Sequence, residues 1–147
     1  MKKPESINFF HTTSVQIRFN DLDTLGHINN SVFQQYFDLG RIAYFKNVLN
    51  EQMDWNVEGL ILASISIDFL TPIRFYDSIV VHTKINHLGN KSLKMIQDLF
   101  DETTEKVAAT GKSIMVSYNN TTGETLPIPG RWRKCIAAFE KDTQFQI

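Results

Sequence analysis

Asp21, Asp23 and His27 lie close together in Arg18-Phe19-Asn20-Asp21-Leu22-Asp23-Thr24-Leu25-Gly26-His27-Ile28-Asn29-Asn30, just ahead of an amphipathic stretch that reads as a helix. A carboxylate at this point can take a proton from water or attack an acyl carbon directly. The first amides of a helix offer unpaired N–H groups and a partial positive charge. A donor of that kind aimed at a developing oxyanion is worth about 3–4 kcal/mol. A general base adds roughly 10²–10⁴-fold, so base and donor together are what acyl-group hydrolysis needs. Asp21 and Asp23 also suit a turn that hydrogen-bonds its own backbone. His27 can orient Asp23 or a substrate, or simply tie the loop, while Asn29 and Asn30 suit helix caps.

Other catalytic patterns are missing. The sequence has no Gly-x-Ser-x-Gly elbow and no His-Glu-x-x-His. The one cysteine, Cys135, lies in the last helical stretch, far in sequence from any histidine. His82 and His87 stand an odd number apart on one expected strand, which places them on opposite faces and unable to share a metal. No glycines have dinucleotide or phosphate-loop spacing. The expected reaction therefore uses no metal and no redox cofactor.

With 147 residues, the chain suits a single domain over 1–147. A lone cysteine excludes an internal disulfide and fits a reducing compartment. The formal net charge of −1, with both signs interspersed, gives no electrostatic case for nucleic acid. The basic start Met1-Lys2-Lys3-Pro4-Glu5-Ser6 is followed by no long apolar run, and no stretch approaches the ~20 apolar residues of a membrane span. A soluble, cytoplasmic protein is expected.

The elements that must hold the loop follow from periodicity. Thr12 to Phe19 alternates as a first strand. A helix is expected from Ser31, with Ser31 and Gln34 as a capping box and Asn29 or Asn30 as rival caps, to about Phe45. Leu39, Val32, Ala43, Tyr36, Phe33, Tyr44 and Phe37 fill an arc of roughly 160° on it. Gly40 lies at the centre of that arc, where a glycine costs about 1 kcal/mol relative to alanine. Its placement predicts a close approach to another backbone. Lys46 to Glu58 reads as irregular or as a fraying second helix. Four long strands follow: Leu60–Leu70, stopped by Thr71-Pro72, then Ser78–Leu88, Ser92–Phe100 and Lys106–Tyr118. Gly89-Asn90 is a turn, Asn119 to Glu124 a loop, and a short helix carries Trp132, Cys135 or Ile136, and Phe139. The expected class is α+β: one long, mainly antiparallel β-sheet wrapped around one central α-helix. Its edges need cover, so association is expected.

Arg18-Phe19-x-Asp21-x-Asp23-x-x-Gly26-His27-Ile28-Asn29-Asn30, with Phe33, Tyr36 and Arg41 after it, resembles the signature of hotdog-fold acyl-CoA thioesterases of the 4-hydroxybenzoyl-CoA thioesterase type. Ser66 to Asp77 and Leu88 to Leu93 resemble that family's second and third blocks, so the likeness runs from about Val15 to Pro129. The His-x-Asn-Asn piece is also similar to plant acyl-carrier-protein thioesterases, which carry an asparagine where this chain has Leu25. That departure leaves Asp23 as the main candidate. Phe33 stands where relatives often have tyrosine.

The resemblance implies a hotdog fold, hydrolysis of an acyl-CoA or acyl-carrier-protein thioester, and a homodimer or homotetramer with active sites across its interface. It assigns the catalytic carboxylate to Asp23 and the carbonyl-polarising amide to the helix start at Asn30, with His27 beside them. Lys91 and Ser92 match the family's phosphate-contacting turn for coenzyme A, and Arg74 is a looser match. Phe33, Phe37 and Leu62 are expected to line the acyl pocket. The rival readings are a hotdog module that binds acyl thioesters without cleaving them, and a dehydratase. The latter lacks its usual pairing, because the only acid on the helix is Asp38, without a nearby histidine.

Overall fold

Everything in the fold is arranged about one helix, α1 (Asn30–Leu49), in a computed structural model that describes residues 6–50, 53–54, 56–141 and 145. Asn29 is its cap, its Oδ1 accepting the Ser31 N–H at 3.0 Å and the Ser31 hydroxyl at 2.9 Å. Ser31 is therefore a capped residue inside the first turn and not the cap of the expected box. At the other end Val48 and Leu49 continue the buried stripe, so the helix outruns Phe45 and takes in part of the stretch read as irregular. Asn50 ends it in the left-handed region, with φ 50°.

The strands are β1 (His11–Val15), β2 (Gly59–Phe69), β3 (Ile79–Leu88), β4 (Ser92–Asp101), β5 (Lys106–Asn119) and the two-residue β6 (Glu124–Thr125); α2 (Gly130–Phe139) closes the chain. Among the described residues all pairings are antiparallel, in the order β1-β3-β4-β5-β2 with β6 on β5. The glutamate and threonine of β6 fall where the sequence predicted the end of a plain loop and the residue after it. β1 stops at Val15, well short of Phe19. The Asp21 carboxylate accepts the Arg18 N–H at 2.9 Å and draws the chain into a 3-10 turn over Phe19–Asp21.

A bulge in β3 between Ile85 and His87 alters the expected histidine geometry. His82 pairs with Asp98 and His87 with Lys94, and those two partners share one face of β4. The histidines therefore lie on the same side, against the parity expected of an unbroken strand. They remain roughly 15 Å apart along β3, too far for one ion. Among the described residues no group of three or more potential metal ligands is present.

The sheet curls round α1 and buries two apolar clusters. One, at the loop end, joins Ile28, Val32, Phe33, Tyr36 and Phe37 to Ile73, Ile79, Val81 and Leu99. The other joins Tyr44, Phe45, Val48 and Leu49 to Leu60, Ile85, Leu93, Met95, Trp132 and Ile136 of α2. Between them Gly40 faces the sheet: a Cβ there would stand 2.5 Å from Val81 Cγ1 and 2.8 Å from Gln97 Nε2. The close approach is real, but it is to side chains of β3 and β4 and not to backbone. Gln97 makes this crossing polar, donating to the Phe37 carbonyl at 2.9 Å and to Thr83 Oγ1 at 3.1 Å, while accepting from Arg41 at 2.9 Å. Arg41 also pairs with Asp38. Leu39 lies outside the buried stripe, about half exposed.

Candidate active site

The loop between β1 and α1 is closed on itself. The Asp21 carbonyl accepts the Asn29 N–H at 2.8 Å, Leu22 bridges Ile28, and the Asp23 N–H donates to the His27 carbonyl at 2.8 Å. Gly26 turns the chain at φ +79°, a conformation that strains any residue with a Cβ. The closed loop is docked by the Ile28 N–H on the Ile73 carbonyl at 2.8 Å and by a bridge from His27 to Arg74.

This arrangement brings Asp23, His27 and Asn30 to one cavity of about 250 Å³, whose walls are Ile28, Phe33, Phe69, Leu70, Thr71 and Pro72. Asp23 Oδ1 accepts the Leu25 N–H at 2.8 Å and the His27 N–H at 3.2 Å, which fixes the carboxylate's orientation. Among the described residues no donor meets Oδ2. Asn29 takes the Ser31 amide with its side chain and the Val32 amide with its carbonyl at 2.9 Å. Among the described residues no acceptor meets the Asn30 N–H. A half-buried carboxylate and an unpaired helix-terminal amide thus border the same space. That is what activation of a nucleophile beside a polarised carbonyl requires.

Asp21 plays a different part. It is 2 % exposed, and its Oδ2 accepts the Tyr36 hydroxyl at 2.7 Å. Burial pushes the Asp21 carboxyl up, but the Arg18 N–H, the Tyr36 hydroxyl and the Arg18 guanidinium together outweigh it and hold the group below the usual range. Burial, then the hydrogen bond to Asp21 and the charge of that carboxylate, push the Tyr36 phenol well above its ordinary value, so it stays a donor.

Of Phe33, Phe37 and Leu62, Phe33 alone lines this cavity. Phe37 is fully buried against Gly111, and Leu62 packs on the apolar cluster at the α2 end. The missed walls, Phe69 to Pro72, come from the end of β2 and the segment after it. Their signal was the Thr71-Pro72 interruption of an apolar strand. Phe33 and Phe69 pack ring to ring, 5.1 Å between centroids.

Arg74 is exposed beside the site, its own N–H held by the Asp77 carboxylate at 2.8 Å. Lys91 and Ser92 are not near Asp23 within one chain. Ser92 starts β4 and Lys91 precedes it, while the other end of that strand, with Leu99 opposite Ala109 and Ala109 opposite Phe69, is the one beside the cavity. Seven or more strand residues separate them, roughly 20–30 Å. Their turn is braced by the Gly89 N–H on the Ser92 carbonyl at 2.7 Å, and by Arg133 of α2, which donates to the Gly89 and Asn90 carbonyls.

A long antiparallel sheet wrapped on one helix, with a carboxylate loop at the helix tip, defines a hotdog-type α+β protein. The model of the thioesterase-like superfamily matches residues 17–138, and the chain belongs to that family. It is 30% identical over 121 residues to the uncharacterized protein YsmA of Bacillus subtilis strain 168, covering 82% of this chain and 80% of that one. It is 24% identical over 122 residues to the chloroplastic acyl-acyl carrier protein thioesterase ATL3 of Arabidopsis thaliana, covering 82% of this chain and 64% of the plant protein. Among solved structures, a thioesterase from Thermus thermophilus complexed with coenzyme A and Zn superposes with a TM-score of 0.79. It is 33% identical, and the match covers 90% of this chain and 96% of that one. Among the described residues no helix is long and apolar enough to cross a membrane.

Proposed function

We propose that the chain hydrolyses acyl thioesters of coenzyme A or of an acyl carrier protein to the free acid and thiol, with no metal or redox cofactor. The observation that carries this is the meeting of Asp23, His27 and Asn30 at one cavity with an apolar wall. The thioester carbonyl accepts from the Asn30 N–H, and Asp23 Oδ2 either takes a proton from water or attacks the acyl carbon itself. If water adds, the C–S bond breaks and the thiolate takes up the proton that Asp23 removed. If Asp23 adds, the C–S bond breaks to leave an Asp23–acyl anhydride, and the thiolate takes a proton from solvent. A water then cleaves the anhydride to the free acid and the restored carboxylate. His27 borders the carbonyl and holds Asp23 through its own N–H. The acyl group lies against Phe33, Phe69 and Leu70.

The coenzyme A assignment for Lys91, Ser92 and Arg74 goes with a dimer. Among the described residues β2 pairs with β5 alone, leaving an eleven-residue edge that carries exposed Ile61 and Phe69. Two such edges joined antiparallel about a twofold axis set the Phe69 end of one chain beside the Gly59 end of the other. The turn that carries the partner subunit's Lys91 and Ser92 then lies on the same side as this chain's cavity, and a dimer or a tetramer built from such dimers supplies both halves of a site.

A second reading, an acyl-thioester binding module, is favoured by one observation: Asp23 Oδ1 already serves as a turn acceptor. Purified Asp23→Asn separates the two. Under the hydrolase reading kcat falls about 10²–10⁴-fold, followed by thiol release with a chromogenic thiol reagent over aromatic, short-chain and long-chain acyl thioesters. Undiminished turnover removes Asp23 from the mechanism. Thioester binding by the wild-type protein without thiol release selects the module.

A further inference from the structure

We infer that Asp21, which does not border the cavity, is a positioning residue: its buried carboxylate, held by the Tyr36 hydroxyl, sets where Asp23 stands relative to the first amide of α1. The inference rests on the thioesterase reading above. Residue 21 ties together three things that must keep a fixed relation. Its carboxylate accepts the Arg18 N–H where the chain leaves the sheet, and its carbonyl accepts the N–H of Asn29, the residue that caps α1. Its Oδ2 also accepts the Tyr36 hydroxyl at 2.7 Å, from roughly two turns along the helix. Asp23 is two residues from this knot on one side, and Asn30 one residue from Asn29 on the other.

The knot is well placed to transmit position. Tyr36 is buried, with a place in the apolar cluster at the loop end, so its hydroxyl is a fixed point on the helix. The other ties of the loop, Asp23 to His27, Leu22 to Ile28, His27 to Arg74 and Ile28 to Ile73, join its two arms and dock them on residues 73 and 74, whereas the Asp21 carboxylate reaches a side chain roughly two turns into α1. Asp21 meets three donors: the Arg18 N–H, the Tyr36 O–H and, at 3.3 Å, Arg18 Nη2. An asparagine with its oxygen in the place of Oδ2 keeps the Arg18 N–H and Tyr36 O–H bonds only in weaker, uncharged form and turns its NH2 on the Arg18 guanidinium. The knot loosens, and a displacement near 1 Å at a reacting group is enough to lower turnover by about 100-fold.

The test compares Asp21→Asn, Tyr36→Phe and the double variant with Tyr44→Phe. The control removes a hydroxyl–carboxylate bond from the same helix at the far end, Tyr44 to Glu140 at 3.1 Å. Steady-state kinetics on a thioester that the wild type cleaves, melting temperatures, and amide hydrogen exchange at His27 and Asn29 are measured. Expected are a kcat lower by about 100-fold in Asp21→Asn and about tenfold in Tyr36→Phe, with KM within about threefold of the wild type. The double variant is expected to be no worse than Asp21→Asn, since both changes cut one link. Tyr44→Phe lowers the melting temperature with kcat unchanged, and only the loop variants speed exchange at Asn29. A folded Asp21→Asn with wild-type kcat overturns the inference, as does a kcat loss of equal size in Tyr44→Phe. Should Asp21→Asn not fold, Tyr36→Phe decides by the same criteria. If the wild type cleaves no thioester, the hydrolase reading fails on its own. The positioning is then judged by exchange, and unchanged rates at His27 and Asn29 in the loop variants overturn it.

Discussion

Tyr36 and Tyr44 stand on the same buried stripe of α1, and each donates its hydroxyl to a buried carboxylate beside a cation. At the loop end the group is Tyr36–Asp21–Arg18, and at the α2 end it is Tyr44–Glu140–Lys84. Burial, followed by the neighbouring carboxylate, pushes both phenols up and keeps both as donors. The difference is in the cation. Lys84 is sealed in, 7 % exposed against a fully buried Glu140 at 2.9 Å, with its ammonium 5.4 Å from the centre of the Phe10 ring. Arg18 is 67 % exposed. The same polar unit thus serves as an internal rivet where α2 closes the fold, and as the root of a loop that must stay accessible.

The largest effect expected breaks the rivet. Lys84→Met removes the cation that stands 2.9 Å from the buried Glu140 carboxylate, and breaking a buried ion pair typically costs about 3–5 kcal/mol. Arg18→Met removes a cation already in water and costs less than about 1 kcal/mol. Chemical denaturation of the two variants should show that gap. Equal losses would mean that the two clusters are the same device at both ends of α1.

Gly40 lies where the two halves meet, and its replacement is the next largest effect. Alanine gains up to about 1 kcal/mol of helix propensity. Its Cβ would stand 2.5 Å from Val81 Cγ1 and 2.8 Å from the Gln97 amide, so α1 must lift or Gln97 must lose its bond to the Phe37 carbonyl. Overpacking of this kind costs about 1–3 kcal/mol. A net loss of roughly 1–2 kcal/mol is expected in denaturant titration. A stabilised Gly40→Ala would show that the crossing has slack.

What the sequence could show divides along similar lines. Asp23, His27 and Asn30 were legible because they are neighbours in the chain, and the loop that gathers them is local. The wall made by Phe69 to Pro72 was not, because only sheet topology carries the end of β2 to the helix tip. Gly40 announced a close approach, yet its partners Val81, Thr83 and Gln97 depend on register, which alternation alone does not supply. Parity likewise misplaced His82 and His87, because the bulge after Ile85 adds a residue that no pattern of apolar positions marks. Asp21 looked like a turn residue. Its bond to Tyr36 spans fifteen positions and exists only once the helix is packed. The buried pair Lys84 and Glu140 left no trace in composition, since each charge reads as surface until the other is placed against it.

The smallest effect separates the two ends by pH. His11, at the α2 end, is buried with its ring 5.3 Å from that of Tyr44, and its Nε2 is 3.0 Å from Asn47 Nδ2. Burial pushes the imidazole down, while the Ala43 carbonyl works the other way. A histidine held below its unfolded value favours the neutral form in the fold. Its contribution is complete above about pH 6.5 and is lost as pH falls through the lower folded value. The Asp21 carboxyl, also held down, contributes above its unfolded value near pH 4 and is lost only below it. Melting temperature followed from pH 7.5 to 3 should therefore fall in two steps. The first is absent in His11→Gln, and the second is reduced in Asp21→Asn. If His11→Gln retains the upper step, the α2 end does not carry that titration, and the pH contrast between the two ends is lost.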